Sequence, residues 1–194
     1  MEQAAKEQED DIARFSYLVE GTRLNFMGDI MKHWRNICYI IRHKWFVLVE
    51  CWKRGLYIRG LLHDLSKFTP REFKAYSNYF FDIQQAPRPK EGYKKPAKTT
   101  EEFDVAWMHH VRRNDHHWQY WVVVLDDTGV VRPAVVARKM PIKVVTEMLC
   151  DWIGAGKAQR FGNNTKIWWR KHNKSMILHP DTRAWLENQI NSMP

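Results

Sequence analysis

"GLLHDLSKFTPREF", residues 60–73, sets the fold. Thr69, Pro70 and Glu72 have the spacing of a helix start: a hydroxyl at the N-cap, proline at the first helical position, and a glutamate able to reach back to the cap. Upstream, "LYIRGLLHDLSKF" places apolar residues at helical spacing. His63 and Asp64 therefore stand where one helix ends and the chain turns into the next.

Helical sequence continues on both sides. From Phe26 to about Lys53 the apolar positions recur every three or four residues, and Gly55 closes that element. Residues 86–98, "APRPKEGYKKPAK", read as a loop, and Thr99 with Glu102 again has capping-box spacing. β-Branched runs flank Asp127-Thr128-Gly129, which predicts one short hairpin near 121–136. "MPIKVVTEMLCDWIGAGK" predicts a helix opening near Pro141 and ending at Gly154/Gly156, and "HPDTRAWLENQI" a closing helix with Asp181 near its cap. The expectation is an all-α bundle forming a single domain over 1–194, with 1–25 as an extension and 157–194 as a basic helical segment on the same domain.

The totals narrow the function. At 194 residues the chain can bury a proper core. Cys38, Cys51 and Cys150 lie far apart, which fits neither a disulfide framework nor a zinc finger and agrees with a reducing cytoplasm. The start, "MEQAAKEQEDDIARF", is acidic and lacks the features of a signal peptide. Arg42, His43 and Lys44 interrupt the most apolar run, which argues against a membrane span. A formal charge of +9 suits polyanionic partners. Residues 157–174 carry six Lys or Arg and no acid around Trp168-Trp169, which allows either a solvated face or a nucleic-acid-binding surface. Paired tryptophans are more often packing than stacking platforms, and His172 and His179 fit solubility or capping.

"HHVRRNDHHWQYW", residues 109–121, holds four of the nine histidines. In one unbroken helix His110 and His117 would lie roughly 10 Å apart along the axis. They could not then share an ion whose ligands sit at ~2 Å. Asn114-Asp115 offers a break, with Asn ending one helix and Asp capping the next. Further donors are His43, His63-Asp64, Asp151 and, one turn before it, Glu147. The ordered series is His, His-Asp, His, His, Asp, all on or beside helices. His33, ten residues before His43, is an alternative first member.

This order resembles the HD superfamily of metal-dependent phosphohydrolases. "RHKWFV", "GLLHDLSKFTPREF", "AWMHHVRRNDHHWQYW" and "EMLCDW" are similar to a family of uncharacterised small HD-type proteins from bacteria and phages. The resemblance implies an HD-type helical bundle whose ligands are His43, His63, Asp64, one histidine from each of 109/110 and 116/117, and Asp151. His110 and His117 are the preferred members, leaving His109, His116 and Glu147 as supporting groups or alternates. It also implies that Lys67, three residues after Asp64, faces the site, with Arg112 or Arg113 as further phosphate contacts. Imidazole mixed with carboxylate suits Mn, Fe, Co or Zn better than Mg. Six ligands exceed one ion, so two ions bridged by Asp64 are expected. The implied reaction is hydrolysis of a nucleotide phosphate ester or anhydride by an activated water. HD-fold diiron oxygenases share the ligand order and give the rival enzyme class. A nucleic-acid-binding protein with a structural metal is the non-enzyme alternative. An HNH-type nuclease is disfavoured because helical sequence precedes the histidines.

Overall fold

The computed structural model describes residues 2–81, 99–125, 135–159 and 164–193, with side chains from residue 26 onward. The described chain is mainly helical. Its order is α1 (Glu2–Trp52), α2 (Tyr57–Leu62), a 3-10 turn (Leu65–Phe68), α3 (Pro70–Phe81), α4 (Glu101–Arg113), a 3-10 turn (Trp118–Trp121), β1 (Val122–Val124), β2 (Val135–Ala137), α5 (Ile142–Ala158), α6 (Thr165–His172) and α7 (Pro180–Asn191). β1 and β2 pair antiparallel with Val123 opposite Val136, as the hairpin expectation requires. Its Asp127-Thr128-Gly129 turn and the loop at 86–98 lie outside the described residues.

The first helix runs back to Glu2, well before the expected start at Phe26. It ends where Gly55 adopts φ +72, a conformation that side chains disfavour. One face of α1 packs on α3 and α5. Asn36 hydrogen-bonds Ser77 at 2.9 Å on α3, and Val47 meets α5 at Gly154. A Cβ on Gly154 would come within 2.5 Å of the Val47 side chain and 2.9 Å of its backbone nitrogen. The Gly154/Gly156 pair therefore does not end α5. Gly154 lies inside the helix and lets α1 and α5 approach closely.

Three apolar clusters hold this frame. Met148, Leu149, Ile153, Trp169, Leu186 and Ile190 join α5, α6 and α7. Tyr76, Tyr79, Phe80, Phe81 and Phe103 join α3 and α4, with Tyr79 and Phe103 stacked at 3.8 Å. Val47, Cys51, Leu56 and Cys150 fill the contact between α1 and α5. No described helix is long and apolar enough to cross a membrane.

Two caps differ from expectation. Thr69 does precede α3, but its hydroxyl donates to the Ser66 carbonyl at 2.7 Å, and Glu72 is wholly buried and points away from it. At α4 the cap is Thr100, which accepts from the Phe103 N–H, while Thr99 bonds Asp104. Both departures free an acidic side chain for another partner. The closing helix is capped by His179, whose ring accepts from the Asp181 N–H at 3.2 Å.

Candidate metal centre

Asp64 is the pivot. It is buried and has φ +53, the left-handed region that Asp tolerates better than most residues at a sharp turn. Lys44 of α1 donates to the carbonyls of His63 and Leu61, capping the exposed end of α2 just before this turn. Both members of the doublet are thereby aimed inward.

The chain breaks at Asn114. Its N–H closes α4 on the His110 carbonyl, and its side-chain amide donates to that same carbonyl and to Ser66. Asp115 does not cap the next element as expected. It pairs with Arg59 of α2, and its carbonyl accepts from the Trp121 indole. The turn folds His117 back onto His110, leaving their Nε2 atoms 2.9 Å apart. The six intervening residues no longer hold them apart.

Two groups of donors result, each with its ligating atoms within 4.8 Å of one another. His43, His63, Asp64 and Asp151 form one; Asp64, His110, His116 and His117 form the other. The two carboxylate oxygens of Asp64 divide between them. Oδ2 lies 3.5 Å from His43 and 3.3 Å from His63, whereas Oδ1 lies 3.4 Å from His110 and 3.3 Å from His116. Asp151 closes the first group at 3.1 Å from His43.

Two buried glutamates orient the rings. Glu72 accepts from Nδ1 of His110 at 2.8 Å and of His109 at 2.6 Å. Glu147 accepts from Nδ1 of His63 at 3.0 Å and lies 3.3 Å from Nδ1 of His116. A proton held on Nδ1 leaves Nε2 with its lone pair facing Asp64, which is the tautomer a metal requires. Arg59 engages the other oxygen of Glu147, so this glutamate braces the rings from behind. Glu147 with His63 and His116 could hold an ion by distance alone, but its pairing with Arg59 favours the bracing role.

Charge balance agrees with this arrangement. Burial alone would raise Asp64, but His63, Lys67 and His110 hold it well below the usual carboxylate range. Burial would likewise raise Asp151, yet hydrogen bonds from His43 and His63 keep it well below. His63 moves the other way: Asp64 and Asp151 overcome its burial and push it well above the ordinary imidazole value. His117 is pushed well below by burial and by its neighbours His116 and His110, which keeps it neutral.

The residues suit a cation. Both Asp64 oxygens and His116 Nε2 are buried with no hydrogen bond, although Lys67 lies in ionic contact with Asp64. Buried polar atoms left this way are costly unless something else satisfies them. These buried His, Asp and Glu side chains could hold a metal ion.

A cavity of about 440 Å³ opens beside the centre. Its floor includes His43, Lys67, His110, His117 and Asp151, and its walls are aromatic, among them Tyr39, Tyr79, Phe103 and Trp107. Lys67 is the only Lys or Arg among the described lining residues. Arg112 and Arg113 were expected to contact phosphate, but both are exposed on the last turn of α4 and do not line the cavity. His116, expected to be secondary, stands in the same donor group as His110 and His117. His109 bonds Glu72 and, among the described residues, lies outside both Asp64 groups. His33 packs on Phe73, with ring centroids 5.5 Å apart, and joins neither group.

In the basic segment, Trp169 is core, while Trp168 stacks on His172 at 4.8 Å. Lys157 is paired with Glu50, and Lys166 donates to the Met193 carbonyl. Sequence reasoning missed Glu72, Arg59 and Lys44. In the sequence Glu72 reads only as part of a cap and Lys44 only as an interruption of an apolar run, while Arg59 carries no signal of its partners.

No curated protein and no solved structure matches the chain. Residues 32–192, from just before Asn36 on α1 to the end of α7, match a family of unknown function. The match spans every donor of both groups and well over half of the chain, so this protein belongs to the family DUF5662.

Proposed function

We propose that this chain is a phosphohydrolase that holds two divalent transition-metal ions and cleaves a nucleotide phosphate ester or anhydride. The observation that carries this reading is the division of Asp64, one oxygen toward each donor group, at the floor of an aromatic cavity. His43, His63, Asp64 and Asp151 would hold one ion, and Asp64, His110, His116 and His117 the other. When bound, the ions supply Lewis-acid polarisation of phosphoryl oxygens and a water activated at neutral pH.

The chain's own residues set the rest. Glu72 and Glu147 fix the imidazole tautomers before any substrate arrives. Lys67 places a positive charge between Asp64 and the cavity, where it can offset charge on a phosphoryl oxygen. The aromatic walls offer flat surfaces to a base and exclude water. Among the described lining residues Lys67 is the one Lys or Arg, and together with the two ions it would offset charge on a phosphoryl group. Donors of imidazole and carboxylate favour Mn, Fe, Co or Zn.

With Mn²⁺ or Co²⁺ added, the protein should release phosphate from at least one nucleoside mono-, di- or triphosphate, and EDTA should abolish the release. Lys67→Ala should lower kcat by about 100-fold, in line with the loss of one group stabilising transition-state charge. The apolar walls also suit an HD-fold diiron oxygenase acting on a small organic substrate. Failure to cleave any nucleotide, together with O₂ uptake by the anaerobically Fe²⁺-loaded protein, would replace the hydrolase reading with that one.

A further inference from the structure

The first helix is apolar on two opposite faces. Asn36, Ile40, His43 and Val47 lie on the face turned into the protein. On the other side Met27, Met31, Trp34, Cys38, Ile41, Trp45, Leu48 and Trp52 follow one another at alternating spacings of four and three residues. At 100° per residue these fall in one narrow stripe, the seam of a coiled coil. Most of that stripe is bare, except at Leu48, which packs on Gly60 of α2. Trp34 is 65% exposed and Trp45 and Trp52 61% each, with Ile41 at 57% and Met27 at 51%. Together with Phe26 and Ile30, these side chains offer roughly 900 Å² per copy, against about 800 Å² per partner in a standard protein interface. An apolar surface of that size is beyond what isolated exposed residues account for.

We propose that this stripe is the seam of an antiparallel homodimer, in which the second half of α1 in one copy lies against the first half of α1 in the other. Two features of the chain select a second copy as the occupant. The first is spacing. Counted backwards from Phe26, the positions Thr22, Val19, Phe15, Ile12, Gln8, Ala5 and Met1 repeat the same alternation of four and three. A two-fold axis between residues 26 and 27 therefore sets Val19 opposite Trp34, Phe15 opposite Cys38 and Ile12 opposite Ile41.

The second feature is charge. The first half of the helix holds Glu7, Glu9, Asp10 and Asp11, whereas the second half carries Lys32, Arg35, Arg42 and Lys44. Antiparallel pairing brings the acidic cluster beside Arg42, while parallel pairing sets like against like. His43 points to the opposite face, so this dimer leaves the metal centre and its cavity open.

Light scattering on the full chain, with oxidative cross-linking, tests the inference. The wild-type protein should have twice the 23.3 kDa chain mass at micromolar concentration. Trp34→Glu with Trp45→Glu should be monomeric, with metal content and helical circular dichroism unchanged. Cys38 should not link to its own counterpart under mild oxidation, since an antiparallel pair holds the two roughly 35 Å apart along the helix. Phe15→Cys should link the two chains through Cys38, and the link should vanish in Phe15→Cys with Cys38→Ser. These cross-links decide the matter even if the double tryptophan variant fails to fold. A monomeric wild type, a Cys38–Cys38 link in the wild type, or a dimer that survives the tryptophan changes would overturn the proposal. A monomer that adsorbs to anionic vesicles would assign the stripe to a lipid surface instead.

Discussion

Glu72 shows how far a single side chain can depart from its local signal. Thr-Pro-x-Glu at 69–72 satisfies every requirement of a capping box, and α3 does begin at Pro70. The glutamate nonetheless binds His109, His110 and Ser66 with both oxygens buried, because burying it without such partners would be prohibitive. Burial pushes its carboxyl up, but His110 and His109 bring it below the ordinary value, so it is an anion braced against imidazoles. Glu72→Gln keeps the shape and one acceptor but loses the charge that holds His110 in the required tautomer. The variant should remain folded and lose about 10- to 100-fold in metal affinity, the usual cost of removing a group that orients a ligand. Competition with a chromogenic chelator measures it. Unchanged affinity would return Glu72 to a purely structural role. The donors themselves were legible because their chemistry is rare and ordered along the chain. Their supports were not, since Glu72 and Arg59 have satisfactory local explanations, and only a residue distant in sequence shows otherwise.

At the scale of elements, the break after α4 and the close crossing of α1 and α5 build the centre. The break was legible in Asn114-Asp115, since an unbroken helix cannot bring His110 and His117 together. What Asp115 does there was not, because its partner Arg59 lies 56 positions earlier. Gly154 was misread for a similar reason. A glycine late in a helical pattern signals a stop, but here it is the small surface on which Val47 of α1 rests. That crossing sets the 3.1 Å approach of His43 to Asp151. Gly154→Ala forces a methyl against the Val47 side chain and backbone, so α1 and α5 must separate. Overpacking of this kind should cost about 2 kcal/mol in denaturant melts and weaken metal retention in parallel. Adding Val47→Ala should recover part of the loss, as expected of residues in contact. A stability unchanged in Gly154→Ala would mean that the crossing tolerates more slack than the geometry allows.

Over the whole molecule, helices from opposite ends of the sequence deliver donors to one buried point. α1 brings His43, the turn after α2 brings His63 and Asp64, α4 and the turn after it bring His110, His116 and His117, and α5 brings Asp151. The all-helical frame and short hairpin were legible because periodicity and turn chemistry are local. The long first helix and its bare stripe were less so, since an apolar face reads the same whether it is covered or exposed. The account rests on Asp64 serving two ions at once, and the metal-to-protein ratio by elemental analysis tests that most directly. Protein prepared without chelator and loaded with Mn²⁺ or Co²⁺ should hold about two equivalents. His110→Ala with His117→Ala should hold about one, and Asp64→Ala should lose from both groups. A parent ratio that never exceeds one, or an unchanged ratio in the double variant, would contradict the binuclear centre.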